Sequence, residues 1–275
     1  MLNFVLKFFI ITLLTTFLGT NKEPEMPFKA KVAPPGTIWL KDSIYIDLAP
    51  TRNIDYREFE SFAQISYNKV LRDSLKNIPD FGIDMEEFKS FMRSCKPDKS
   101  LANKVRIPMN ARLGWSMNIS EYYNSPVYGN YPVIYVSMSQ AVEYCKWRTD
   151  ITMLVYSAKS KNEKERSKFY KKIRYRLPKI EEIEYALEKF KNNIQTDLSM
   201  YAGDICATMP APRQKKKKKF IYIPYNVSEI TSTESTAIGF SWRDTDTTKN
   251  YSKTVKYSRP QDWLSFRCVC EIIEY

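Results

Sequence analysis

Hydrophobic and polar residues alternate along residues 44–48, with isoleucine or leucine at every second position. A period of two residues places alternate side chains on opposite faces of a strand, so this segment predicts a half-buried β-strand. The spacing becomes helical from Asn53 onward, with Tyr56, Phe59 and Ala63 on one face. This pattern predicts a helix for which Asn53 is the N-cap.

The same two periods predict further elements along the chain. These are two short helices within 68–93, a strand over 131–137, a helix that begins at Ser139, a short helix after 176–178, and strands in the residues after 220. A basic stretch over 159–176 holds nine Lys or Arg and predicts the solvated face of a helix. Helices and strands that follow one another without an internal repeat predict an α+β fold.

The N-terminal residues predict an export segment followed by a linker. An uncharged apolar run over 8–18 follows a lysine, and it is shorter than the roughly 20 residues that span a bilayer. We therefore expect a signal peptide or a retained anchor at 1–20, and localisation in the periplasm or cell envelope with a membrane tether if the anchor is kept. Four prolines and a glycine predict a linker over 21–36. The remaining domain is expected at 37–275, with inserted segments near 64–130, 151–172 and 207–219.

Composition narrows the classes of chemistry that are open to the protein. Lys and Arg number 43 against 31 Asp and Glu, which gives a net charge of +12 and predicts attraction to anionic polymers or membrane surfaces. Histidine is absent, which removes the usual general base and the commonest metal ligand. Five cysteines in an exported chain predict disulfides with one thiol left over.

Several polar and aromatic groups allow both a structural and a functional interpretation. Three carboxylates at Glu181, Glu182 and Glu184 are interpreted as a solvated helix face, because nothing nearby in sequence would raise a carboxylate pKa. The tyrosines at 122, 123, 128 and 131 fit either a ligand groove or half-buried cover. Cys268 and Cys270 would share one face of a strand, as one structural cystine and one buried thiol.

A run of five lysines has no counterpart elsewhere in the chain. It consists of Lys215, Lys216, Lys217, Lys218 and Lys219. Repulsion between like charges predicts an exposed loop. Without an aromatic stacking platform or a known reading motif, the run favours anionic surfaces such as glycans or lipid headgroups over nucleic acid.

Four segments carry a resemblance to a known family. They are YIDLAPTRNIDYREF at 45–59, YPVIYVSMSQAVEYCKW at 131–147, RLPKIEEIEYA at 176–186, and IGFSWRD at 238–244 together with LSFRCV at 264–269. In this order they resemble motifs of the sulfatase-modifying factor family, whose type member is the formylglycine-generating enzyme. Recurrence in order is what makes short motifs specific. The resemblance implies a variant C-type-lectin-like fold, within the α+β class, that contains much irregular structure.

The chain departs from this family at the oxidase site. Oxidase members have two copper-binding cysteines after the Gly-Ser motif, and the matching positions here are Asp244 and Lys249. Copper(I) requires soft sulfur ligands, which neither residue supplies. The aromatic residue of the family's substrate groove is replaced by Ser228. We therefore expect no catalytic residues and no copper.

The resemblance leaves calcium open as a cofactor. Calcium ligands of the family match the carbonyls of Tyr225 and Val227 and the carboxylate of Glu229, whereas its asparagine ligand aligns with Tyr222. Loss of one oxygen ligand from a site that takes six to eight weakens calcium binding without abolishing it.

The resemblance also implies one disulfide. Cys145 and Cys268 match family positions that pair in the disulfide-bearing members. A second family bridge matches Leu187 and Thr254, so both of its cysteines are missing together. Cys95, Cys206 and Cys270 remain unassigned.

These expectations favour a non-catalytic binding or scaffold module of the cell envelope, similar to the gliding-motility proteins of the same family. Its expected partner is an envelope protein or an anionic polysaccharide, and no nucleic acid is expected. Two alternatives stay open, a formylglycine-generating oxidase that acts on sulfatases and a lectin-like binder of anionic glycans.

Overall fold

Helices and short strands alternate along the chain. The computed structural model describes residues 31–66, 106–110, 115–194, 219–244 and 251–275. The helices are α1 (Asn53–Ser66), α2 (Ile119–Asn124), α3 (Met138–Ala158), α4 (Glu163–Arg166) and α5 (Ile180–Lys189), with 3-10 turns at Pro126–Tyr128 and Lys191–Asn193. The strands are β1 (Thr37–Lys41), β2 (Ile44–Asp47), β3 (Arg106–Asn110), β4 (Trp115–Asn118), β5 (Lys172–Arg176), β6 (Ser228–Ile230), β7 (Thr236–Ile238), β8 (Thr254–Lys256), β9 (Leu264–Ser265) and β10 (Val269–Glu274).

The main sheet joins the beginning of the described chain to its end. Its order is β1, β2, β10, β5, and all neighbouring strands are antiparallel. A second sheet has the order β8, β7, β6, β9, in which β6 and β9 are parallel, while β3 and β4 form an antiparallel pair. Separate sheets combined with helices confirm the predicted α+β class. The C-type-lectin-like variant of that class stays a prediction.

The centre of the main sheet is buried on both faces, each against a different core, whereas alternate residues of the β5 strand are exposed. Tyr45 and Cys270 belong to the cluster that includes α3, whereas Ile46 and Val269 pack with the buried face of α5. Alternation of side chains along a strand assigns neighbouring residues to opposite faces. The prediction of a half-buried strand at 44–48 was therefore wrong about burial, because α3 packs over one face of β2 and α5 over the other.

The helix α1 begins at Asn53 as predicted, but Asn53 does not cap it. The side-chain amide of Asn53 donates instead to the carbonyls of Tyr122 and Tyr128, at 3.3 and 3.0 Å. The carboxylate of Asp55 accepts from the backbone N–H of Arg52 at 3.2 Å. A buried amide thus joins the start of α1 to α2 and to the 3-10 turn that follows α2.

The segment 131–137 is extended but is not a strand. Pro132 lacks a donor, and Tyr135 has a positive φ of 60°, so a regular ladder cannot continue through them. Its hydrogen bonds go to loops instead, from Val133 N to Thr51 O at 2.8 Å and from Tyr135 N to Gln261 O at 3.0 Å. The helix predicted from Ser139 begins at Met138, because Ser137 and Gln140 form a capping box.

The predicted helix after 176–178 is confirmed as α5, but its carboxylates are not all solvated. Glu182 is 3% exposed and accepts two hydrogen bonds from Arg176, at 2.7 and 2.8 Å. Burial alone would raise the pKa of Glu182, but the bonds from Arg176 and from the Lys179 backbone hold it below its usual value. Much of the basic stretch over 159–176 forms α4 and β5 rather than one helix face.

Two of the segments that were expected as insertions contribute to the cores. Residues 119–124 form α2, whose Tyr122 and Tyr123 are buried, and residues 151–158 continue α3. Tyr128 is also buried, so these tyrosines pack as core rather than as an open groove. The expected helices over 68–93 lie outside the described residues, and the domain boundaries stay predictions. Within the part of the chain that the structure covers, no helix is long and apolar enough to span a membrane.

Arg267 is the largest fully buried side chain among the described residues. Its guanidinium donates to both carboxylate oxygens of Glu229 on β6, at 2.5 and 2.6 Å. It also donates to the carbonyls of Asp47 and Ile221, at 3.2 and 3.1 Å, and lies 4.5 Å from the ring centre of Phe220. One cation therefore joins the two sheets and the segment at 220–221.

We expect Arg267→Leu to destabilise the fold strongly, because Glu229 would remain buried without its partner. Breaking a buried pair from one side costs about 3–5 kcal/mol. Arg174→Leu is the control, since Arg174 pairs with Glu271 at the surface with 60% of its side chain exposed, and such pairs contribute about 1 kcal/mol or less. Urea denaturation of both variants measures the difference, and equal losses would contradict the assigned role of Arg267.

Candidate functional site

The residues that match the family's oxidase motif form a tight turn. Asp244 Oδ2 accepts from the backbone N–H and the hydroxyl of Ser241, at 2.8 and 2.9 Å. Its other oxygen lies 3.3 Å from the ammonium of Lys253. The carboxylate at the first oxidase position is thus used to close the turn. Lys249, at the second position, falls in the part of the chain that the structure leaves out.

Beside this turn, Trp242, Arg243 and Asp262 form a polar cluster. Arg243 pairs with Asp262 at 2.5 Å, and Trp242 Nε1 donates to the backbone carbonyl of Asp262 at 3.2 Å. The guanidinium of Arg243 lies 5.0 Å from the ring centre of Trp242. Burial raises the pKa of Asp262, although Arg243 opposes the shift. Half of the Arg243 side chain is exposed, while that of Asp262 is 1% exposed, so the cluster presents a cation and an aromatic ring to solvent.

Two aromatic residues with strained backbone border the same cluster. Tyr135 and Tyr225 both have a φ of 60°, a region that side chains with a Cβ occupy at a cost of about 1–2 kcal/mol. Tyr135 packs with Val227 and Trp242 in one apolar cluster, and Tyr225 stacks on Phe240 with ring centres 5.2 Å apart. Burial and the nearby Asp262 raise the pKa of the Tyr135 phenol. Sequence patterns gave no sign of this convergence, because positive φ at tyrosine leaves no periodic signal.

The expected calcium ligands lie at residues 225–229, in the segment that leads into β6 and includes its first two residues. Glu229 faces Arg267, which donates to both of its carboxylate oxygens. Val227 is buried, and Ser228 donates its hydroxyl to the carbonyl of Gly239 at 2.8 Å. Within the described ranges, no group of three or more Cys, Asp or Glu residues has a metal-binding arrangement. Calcium at Tyr225, Val227 and Glu229 stays a prediction, and a divalent cation there would compete with the guanidinium for the same carboxylate.

The two cysteines implied as a disulfide are neighbours. The sulfur atoms of Cys145 on α3 and Cys268, which precedes β10, lie 3.3 Å apart as thiols, and both residues are buried. Burial raises the pKa of the Cys268 thiol well above its usual value, and the Cys145 thiol adds to the shift. Cys270 is buried two positions beyond Cys268, on β10. The Cys145–Cys268 bridge stays a prediction, and Cys95 and Cys206 are not among the residues that the structure places.

Of the lysine run, the structure describes its last member. Lys219 is exposed, and the next residue, Phe220, is 1% exposed and stacks on Phe190. The chain therefore passes from solvent into the core within one residue. Lys215 to Lys218 precede the described segment, and anionic-surface binding by the run stays a prediction.

A family model described as the sulfatase-modifying factor enzyme 1-like domain matches residues 17–221. The matched range includes the first three of the four motifs and ends before the turn at Ser241 and Asp244. No curated protein matches the chain.

In native protein exported to an oxidising compartment, we expect Cys145 and Cys268 to be bridged. A disulfide across 123 positions would restrict the unfolded chain by about 4–5 kcal/mol in the simple entropy model. Peptide mapping without reduction should recover the cross-linked pair, with Cys270 alkylated as a free thiol. Reduction should then lower the melting temperature of the native protein but not that of Cys145→Ala. Recovery of Cys145 as an alkylated thiol would contradict the assignment.

Proposed function

The chain belongs to the sulfatase-modifying factor family, and we propose that within this family it is a non-catalytic binding or scaffold module of the cell envelope. The proposal includes the C-type-lectin-like variant of the α+β fold and export through residues 1–20. Its partner is an envelope protein or a polysaccharide that carries negative charge.

One observation carries the non-catalytic part of this proposal. Asp244 stands where the resemblance places the first copper-binding cysteine, and both of its oxygens are engaged by Ser241 and Lys253. A carboxylate held in a salt bridge supplies neither the soft ligand that copper(I) needs nor a thiol for oxidation. Lys249 at the second position removes the other sulfur.

The cluster around Trp242 supports the binding part of the proposal. Arg243 and Lys253 are 50% and 38% exposed, and each has an aromatic ring beside its cation, Trp242 and Phe240 respectively. Burial fixes the position of Asp262, the partner of Arg243, and the turn at Ser241 fixes that of Asp244, the partner of Lys253. An arginine that is positioned on a ring can present two N–H groups to a sulfate, phosphate or carboxylate.

The same cluster favours a second candidate, a lectin-like binder of anionic glycans. A glycan that carries sulfate or carboxylate groups would meet the cations, while its sugar ring would pack on the exposed part of Trp242. The oxidase alternative requires two thiols, and this chain has Asp244 and Lys249 at the matching positions.

We expect the purified full-length protein neither to retain copper(I) nor to convert a cysteine-containing sulfatase peptide to formylglycine. Mass spectrometry of the peptide after incubation with copper measures conversion, and an oxidase member of the family serves as the positive control. The double variant Asp244→Cys with Lys249→Cys tests whether sulfur alone restores copper retention. Turnover above a no-enzyme control that chelation of copper abolishes would overturn the proposal.

We expect Arg243→Ala to weaken retention on a sulfated polysaccharide column by lowering the salt concentration needed for elution. Arg174→Ala is the matched control, because Arg174 is also an exposed arginine paired with a carboxylate, but it lies on β5 of the main sheet, away from the Trp242 cluster. Replacement of Lys215–Lys219 by Gly and Ser separates the contribution of the lysine run. If Arg243→Ala and Arg174→Ala elute at the same salt concentration, the Trp242 cluster is not the binding face.

A further inference from the structure

A cleft of about 360 Å³ lies between the loop after β2, the first turns of α1 and the middle of α3. It shares no residue with the Asp244 turn or the Trp242 cluster. Its charged lining comes from the three carboxylates of Asp47, Asp55 and Glu58, together with two arginines. Thr51 adds a hydroxyl, and the apolar walls include Ile151 and Val155. A volume of this size accommodates a small organic molecule or one long side chain.

Both arginines of the cleft are already engaged by carboxylates. Arg52 donates to the two oxygens of Asp55 at 2.8 and 2.7 Å, and Arg148 donates to Asp47 Oδ2 at 2.6 Å. Burial would lower the pKa of Arg148, but the attraction of Asp47 outweighs it and holds the pKa well above its usual value. Arg52 also donates to Asn130 and Arg148 to the carbonyl of Pro35, each at 2.9 Å, and their side chains are 28% and 15% exposed, against 50% for Arg243. Neither guanidinium of the cleft is therefore left to receive an anionic ligand.

What remains in the cleft is a surplus of hydrogen-bond acceptors. Asp47 and Thr51 are each 4% exposed, and Asp47 Oδ1 and Thr51 Oγ1 are buried without a hydrogen-bond partner. Glu58 is exposed and forms no ion pair within the described residues. Trp147 Nε1 is an unpartnered donor in the lining, and the Thr51 hydroxyl can donate as well as accept. Buried polar groups without partners cost free energy that a suitable ligand recovers.

We propose that this cleft binds a primary ammonium group on an alkyl stem, as in a lysine side chain or a small diamine. An ammonium has three donors and no acceptor, which matches a lining in which acceptors predominate. Three carboxylates against two paired guanidiniums give the cleft a net negative charge within a protein of net charge +12. Ile151 and Val155 provide apolar surface for the stem. The proposal does not rest on the function proposed above.

Titration of the full-length protein with Nα-acetyllysinamide, followed by NMR or calorimetry, tests this site directly. The Nε-acetylated compound is the control ligand, because it keeps the stem and lacks the charge. Saturable binding of the first compound and none of the second is the expected result. Pentane-1,5-diamine is the second probe, and the tighter of the two cationic probes identifies whether a peptide side chain or a free diamine fits better.

Glu58→Gln should weaken binding about two- to fivefold, as expected for loss of one exposed ionic partner. Glu184→Gln is the matched control, since Glu184 is also an exposed helical glutamate but lies on α5, outside the cleft. Glu58→Lys should abolish binding. Equal binding of the acetylated compound, equal effects of the two Gln variants, or no saturable binding would each overturn the proposal, the last by showing that the cleft holds water only.

Discussion

The buried ion pair of Arg267 and Glu229 is the interaction on which the rest of the structure depends. It is formed at 2.5 and 2.6 Å with both side chains excluded from water, so neither charge is tolerable without the other. Because Arg267 also donates to the carbonyls of Asp47 and Ile221, a single guanidinium fixes segments that are far apart in sequence. Both sheets and the start of the segment after 219 are therefore held by one residue of the motif LSFRCV.

The neighbouring residue extends this arrangement to the other face of the main sheet. Cys268 N donates to Asp47 Oδ2 at 2.8 Å, and Asp47 N donates to Cys268 O at 3.0 Å. The same Asp47 oxygen receives Arg148 from α3, which brings α3, and with it Cys145, against the chain before β10. The short segment at 266–268 thus connects a buried ion pair, a thiol pair and the wall of the cleft. A substitution at any one of these three places should alter the packing at the other two.

The sequence predicted secondary structure correctly where the spacing of apolar residues matches the period of a single element. It predicted structure wrongly where contacts with other segments determine the conformation or the burial of a residue. β2, α1 and α5 were predictable because their apolar residues repeat at the period of one element. The segment 131–137 has the composition of a strand, but its hydrogen bonds go to Thr51 and Gln261, which no local pattern reveals. Glu182 looked solvated because its partner, Arg176, lies on β5. The Ser137–Gln140 capping box was readable in the sequence and would have placed the start of α3 correctly.

The backbone strain at Tyr135 and Tyr225 bears on why the region around Trp242 keeps its shape. Two residues held at a φ of 60° oppose folding by about 1–2 kcal/mol each, and glycine at either position would relieve that strain. Packing of the two rings offsets part of this cost, because Tyr135 lies in one apolar cluster with Trp242 and Tyr225 stacks on Phe240. Rings that are fixed in this way lower the entropy that a partner of the proposed binding surface must overcome on binding.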